Sequence, residues 1–139
     1  MLSFCVSSTG PGLHLRVSIN QTLQYALEVP QHDVVINIPL PELDSDQNKI
    51  SIEMSGKLPQ HTVVDSQGRI ISDRWLEFNN FKFKDIALGQ QFMESAVYWH
   101  DHNGGSAEIS VPFSGSMYFN GRAEWQYDRD PLLWLLELT

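Results

Sequence analysis

Apolar and polar residues alternate along most of the chain. Leu13, Leu15, Val17 and Ile19 are separated by His14, Arg16 and Ser18, and Leu23, Tyr25, Leu27 and Val29 by Gln24, Ala26 and Glu28. A period of two sends successive side chains to opposite faces of an extended strand, so both segments predict half-buried strands. The same period appears in Val34-Ile36-Ile38, Ile50-Ile52-Met54, Ala107-Ile109-Val111-Phe113 and Ala123-Trp125-Tyr127. With weaker patterns at 69–72, 75–78, 81–88 and 95–100 the total is about ten short strands.

Turn residues separate them: Thr9-Gly10-Pro11-Gly12, Pro39-Leu40-Pro41, Ser66-Gln67-Gly68, Asn103-Gly104 and Asn120-Gly121. Asn-Gly tolerates positive φ at both positions and matches strand twist, so the last two predict hairpins and antiparallel pairing. Before residue 130 no capped segment repeats with the helical period, which argues against a parallel sheet with crossover helices. An antiparallel β-sandwich or jelly roll is expected, as one domain over residues 1–139. At the end, Asp130 and Pro131 suit the cap and first position of a short helix through Leu132-Leu133-Trp134-Leu135-Leu136, with an apolar strand-like tail as the alternative. Such a run belongs against its own domain or against a second copy, since burying each Leu contributes about 1.5–3 kcal/mol.

Composition narrows the partners. Seventeen acidic against nine basic side chains give a formal charge of −8 over 139 residues, a surface that repels a phosphate backbone. Nucleic acid is therefore not an expected partner. No apolar run approaches the roughly 20 residues that cross a bilayer, and Met1-Leu2-Ser3-Phe4-Cys5-Val6 lacks the basic start of a leader. A soluble chain is expected, and the lone Cys5, near a terminus expected to be mobile, has no companion motif for nucleophilic chemistry.

Three groups of residues carry candidate chemistry. His100 and His102 lie two apart, which on a strand places both imidazoles on one face, as a shared metal requires. With Glu108 they are similar to the His-x-His and acid of a cupin-type metal enzyme, although the acid is displaced and no third His follows; the same residues also read as a solvated lead into a hairpin. Asp44, Asp46 and Asn48 place oxygen donors at alternating positions, which suits Ca²⁺ in a loop. Lys49 and Ser55 stand where an EF-hand needs Gly and a bidentate Glu, so the helical motif is excluded. No other cofactor is expected.

The third group is aromatic. Trp75, Tyr98, Trp99, Tyr118, Trp125, Tyr127 and Trp134 offer faces on which the apolar C–H faces of sugars can stack, while nearby Asp, Asn and Gln satisfy hydroxyls. Trp125 and Tyr127 share a face with Ala123 and read as core. Only one of Tyr98 and Trp99 can point inward; Tyr98 or Trp99, with Asp101 and Asn103, forms the candidate ligand platform. Glycoside-hydrolysing pairs could be drawn from Asp85, Glu94, Asp101, Glu108 or Glu124, but their separation decides such chemistry and any acidic chain offers pairs.

In the second half, Ser55-Gly56-Lys57, Thr62-Val63-Val64-Asp65 and Gly68-Arg69-Ile70-Ile71-Ser72-Asp73 are followed by Tyr98, Asn120-Gly121 and Pro131-Leu132-Leu133-Trp134-Leu135-Leu136-Glu137. This order resembles small β-sandwich modules, of carbohydrate-binding or adhesion type, found in bacteriophage virion proteins and beside glycan-acting enzymes. The resemblance implies a non-enzymatic module that binds carbohydrate or a protein surface, in a virion or at a cell surface. A structural subunit that forms homo-oligomers through its apolar C-terminus is the alternative, and a cupin-like metal-dependent enzyme the third.

Overall fold

The computed structural model describes residues 1–40, 47–105, 107–127 and 130–138. These form two antiparallel sheets packed face to face. One contains β1 (Leu2–Ser8), β4 (Val34–Ile38), β8 (Leu76–Phe83), β9 (Ile86–Ala87) and β12 (Ser116–Met117), in the order β12-β8-β1-β4 with β9 paired to β8. The other contains β2 (His14–Ile19), β3 (Thr22–Glu28), β5 (Asn48–Ser55), β10 (Val97–His100), β11 (Ile109–Pro112) and β13 (Gly121–Tyr127), in the order β11-β10-β13-β5-β2-β3. A small hairpin of β6 (Val63–Val64) and β7 (Ile70–Ser72) stands apart. Two short helices, α1 (Gln90–Glu94) and α2 (Pro131–Glu137), complete the all-β sandwich.

The core lies between the inward faces of the two sheets, where Phe4 stacks on Phe81 at 5.2 Å and Phe81 meets Trp125 of the opposite sheet at 5.8 Å. Trp125 is fully buried; its Nε1–H donates to the carbonyl of Phe92 at 2.9 Å and its ring stacks on that of Phe92 at 5.2 Å. The N–H keeps a partner while the ring fills the centre, which suits a buried indole.

Several expectations are corrected. The N-terminal segment is the middle strand of its sheet, with Leu2, Phe4 and Val6 buried, so Cys5 sits in an ordered strand rather than a mobile end. The segments 75–78 and 81–88 largely form one strand, broken in phase rather than in chain: between Ser3 and Cys5 the pairing with β8 shifts register, and Asn80 takes a φ of 55°. This bulge moves the buried set from Leu76 and Phe78 to Phe81 and Phe83. β3 is not half-buried; at the sheet edge it leaves Leu23 and Tyr25 exposed. Asn103-Gly104 lies in the connection of the antiparallel pair β10 and β11, but Asn120-Gly121 makes no hairpin, because β12 pairs β8 in the other sheet while β13 pairs β10 and β5.

The C-terminal helix forms as expected, with Asp130 Oδ1 accepting from the N–H groups of Leu132 and Leu133 at 3.0 and 3.4 Å. It buries Leu135 and half-buries Trp134, while Leu132, Leu133 and Leu136 remain exposed. No helix among the described residues is long and apolar enough to cross a membrane.

Candidate functional site

Alternation in β13 turns Ala123, Trp125 and Tyr127 into the core and leaves Arg122, Glu124 and Gln126 on the outer face of the six-stranded sheet. Neighbouring β10 does the same, with Tyr98 and His100 inward and Val97 and Trp99 outward. Past the end of β13, α2 folds back so that Trp134 stacks on Tyr127 at 5.4 Å and meets Phe92 edge-on at 5.7 Å. These placements enclose a groove of about 260 Å³ lined by Ser95, Val97, Trp99, Glu124, Gln126 and Trp134. Two half-buried indoles thus stand over a polar floor.

Electrostatics hold that floor still. Arg122 Nε donates to Glu124 Oε1 at 2.8 Å and its Nη1 contacts Glu108 Oε2 at 3.3 Å, while its guanidinium lies 5.6 Å from the centre of the Trp99 ring. Lys49 Nζ reaches the other Glu124 oxygen at 3.4 Å. Both carboxylate oxygens of Glu124 therefore face a cation, and an uncharged ligand meets no unbalanced charge there.

The other candidate residues are placed differently. Tyr98 is buried, and its hydroxyl donates to the carbonyl of Phe119 and accepts from the Phe119 N–H at 3.1 Å. Burial pushes its pKa up to about 12, opposed by the bond to Phe119. Tyr98 is the inward one of the pair, which leaves Trp99 as the outward aromatic of the candidate platform. Asp101 and Asn103 build the β10–β11 connection: Asp101 Oδ1 accepts from Gly104 N at 2.7 Å and Asn103 Oδ1 from Asn120 N at 2.8 Å. Neither lines the groove of Trp99.

His100 and His102 do come together, with ring centres 4.7 Å apart, but His100 is buried, stacks on Phe119 at 4.5 Å, and accepts through Nδ1 from His102 N at 3.2 Å. Burial lowers the His100 pKa, as does the charge of His102, with Asp101 opposing. Glu108 contacts Arg122 on the outer face, away from the inward His100. Among the described residues no three His, Cys, Asp or Glu side chains converge as metal ligands. Of the calcium candidates, Asp44 and Asp46 lie outside the described residues, and Asn48 is buried with Oδ1 accepting from Asn20 Nδ2 at 3.0 Å.

A second polar cluster sits at one end of the sandwich, where the registers bring the ends of β1, β5 and β10 beside the starts of β2, β8 and β13. Lys57, whose side chain is buried, pairs with Asp73 at 2.8 Å, donates to the Tyr118 carbonyl and lies 5.5 Å from the Phe119 ring centre. Asp73 Oδ1 also accepts from Thr62 Oγ1 at 2.7 Å, and Asn120 bridges the backbone of Lys57 through both atoms of its amide. Gly56 turns the chain into this cluster at a φ of 91°, where a Cβ would sit 2.3 Å from the Gly12 carbonyl oxygen. Beside it Trp75 and Tyr118 stack on each other at 5.2 Å, so each ring covers part of the other.

No family model matches the chain, and no curated protein matches it. Solved structures do. The chain is similar to vCBM60 in complex with galactobiose, with a TM-score of 0.51, 10% identity, and coverage of 89% of this chain and 95% of that one. It is also similar to a selenomethionine form of vCBM60, described with two families of calcium-dependent carbohydrate-binding modules linked by circular permutation, at a TM-score of 0.52, 8% identity and 90% coverage of each chain. The likeness establishes the β-sandwich fold of such modules.

Proposed function

We propose that this chain is a non-catalytic recognition module that binds carbohydrate in the groove between Trp99 and Trp134. The observation that carries the reading is the pairing of two half-buried indoles with the polar Glu124 and Gln126 on one sheet face. Indole faces match the C–H faces of sugar rings, and the floor offers hydrogen-bond donors and acceptors to hydroxyls. The fold supports it, since vCBM60 was solved with galactobiose. Titration of wild type, Trp99→Ala and Trp75→Ala with galactobiose and other neutral oligosaccharides tests it: Trp99→Ala should lose binding, and Trp75→Ala should keep it. Loss confined to Trp75→Ala would move recognition to the loop end.

Assembly is the second reading, favoured by the exposure of Leu132, Leu133 and Leu136 on α2. In it these side chains pack against another copy, as in a virion component. Light scattering of wild type and Leu133→Glu tests that: a wild-type oligomer dissociated by the substitution supports assembly, and a monomeric wild type removes it.

A further inference from the structure

Gln126 lines two cavities. On one side is the Trp99–Trp134 groove; on the other is an open cavity of about 320 Å³ lined by Asn20, Gln21, Gln47, Asn48, Lys49 and Gln126. Except for Lys49, every side chain lining this second cavity ends in a carboxamide. A carboxamide places donor and acceptor side by side without charge, which matches neighbouring sugar hydroxyls that both donate and accept.

The amide wall is built rather than incidental. Asn20 and Gln21 form the tight turn between β2 and β3 with φ of 49° and 68°, the pairing of positive angles that suits a two-residue hairpin. Asn20 then clamps β5: its N–H donates to the Lys49 carbonyl at 2.9 Å, its Oδ1 accepts from Lys49 N at 2.8 Å, and its Nδ2 donates to Asn48 Oδ1 at 3.0 Å. Gln126 and Lys49 are cross-strand partners, and Lys49 reaches over to Glu124 in the groove floor. The two cavities meet at Gln126, and the charges beside that junction balance, Lys49 and Arg122 facing Glu124 and Glu108.

We infer that the two cavities form one surface, continuous over Gln126, that takes an uncharged linear oligosaccharide, the indoles gripping ring faces and the exposed amides of Gln21, Gln47 and Gln126 reaching hydroxyls further along. The inference rests on the carbohydrate reading of the groove and extends it to the class of ligand. From β10 across β13 and β5 to the β2–β3 turn is three strand spacings, about 14 Å, so filling both halves takes a chain of several sugars. The Asn20 clamp fixes the backbone that carries Gln21 and Gln47, so binding orders only their side chains and part of the added contact appears as affinity.

The test is calorimetric titration with two-sugar and six-sugar members of the galactan, xylan, mannan and glucan series, with six-sugar oligogalacturonate as a charged comparison. In the series that binds best, the six-sugar ligand should bind about tenfold tighter than the two-sugar one, the ratio that one or two net hydrogen bonds supply. In Gln21→Gly/Gln47→Ala, checked for an unchanged melting temperature, that ratio should collapse toward one; glycine suits the positive φ at Gln21. The ratio persisting in this variant, the absence of any length advantage in wild type, or oligogalacturonate binding as tightly would overturn the inference while leaving the groove reading in place. If no neutral ligand binds, or Trp99→Ala binds as wild type does, the groove reading falls and the extension with it.

Discussion

Lys57 and Asp73, joined across a long connection between the two sheets, form a 2.8 Å ion pair in which the lysine side chain is almost wholly withdrawn from water. Removing one partner leaves a buried charge uncompensated, at a cost of about 3–5 kcal/mol, whereas replacing both by apolar groups removes the unpaired charge. Lys57→Met should lower stability in urea by that order, and Lys57→Met/Asp73→Leu should recover a large part of it. Equal destabilisation by the single and double variants would show that the pair contributes through its individual hydrogen bonds.

The same cluster sets an acid limit. Burial by itself raises the Asp73 pKa, but hydrogen bonds from Lys57, Thr62 and the Arg74 N–H bring it below 3.8. A carboxylate whose folded value is depressed contributes stability above its unfolded value and loses it as pH falls through the folded one. His100 acts at milder pH: its folded value lies below 6.5, so the folded state resists a proton that the unfolded chain accepts, and stability falls as pH drops below 6.5. Melting temperatures measured from pH 8 down to pH 3 should decline first below 6.5 and again below 3.8. His100→Gln should reduce the first decline, the remainder belonging to His61, whose folded value also lies below 6.5, and leave the second.

Tyr98 is a structural tyrosine. Its hydroxyl satisfies both backbone groups of Phe119, so Tyr98→Phe should cost about 1–3 kcal/mol in chemical denaturation through the two partners left behind. The groove lies on the opposite face of β10, so oligosaccharide affinity should be retained.

Metal removal separates two locations for recognition. Both oxygens of Glu124 already face Arg122 and Lys49, so binding in the groove requires no cation. Treatment with EDTA should leave oligosaccharide affinity unchanged. Loss of binding restored by added Ca²⁺ would instead favour recognition at the acidic segment that contains Asp44 and Asp46.

Where local pattern and tertiary contact agreed, the sequence was readable. β2, β4, β5 and β13 follow the alternation directly, and the Asp130-Pro131 start of α2 follows cap chemistry. β1 was hidden because Ser3, Cys5 and Ser7 alternate only weakly against Leu2, Phe4 and Val6, and because chain ends are usually loose. The bulge at Asn80 split one strand into two apparent ones. Within the site, the outward set Arg122, Glu124 and Gln126 was legible as the complement of the core set. What alternation could not show was that α2 returns Trp134 to the side of Trp99, since that contact depends on Tyr127 and Phe92 receiving the indole. Lys57 and Asp73 stood among the residues that carried the family resemblance, but a period-two pattern says nothing of a bond between two loops.

The four tryptophans provide the most direct measurement. Trp99 and Trp134 face the groove, Trp125 is buried in the core, and Trp75 stacks on Tyr118 at the loop end. Their indole N–H resonances, assigned by single Trp→Phe variants, can be followed by ¹H–¹⁵N NMR while a neutral linear oligosaccharide is added. Binding in the groove predicts that the Trp99 and Trp134 signals shift together and saturably, with those of Trp125 and Trp75 unmoved. A saturable shift of Trp75 with Trp99 and Trp134 unmoved would contradict it.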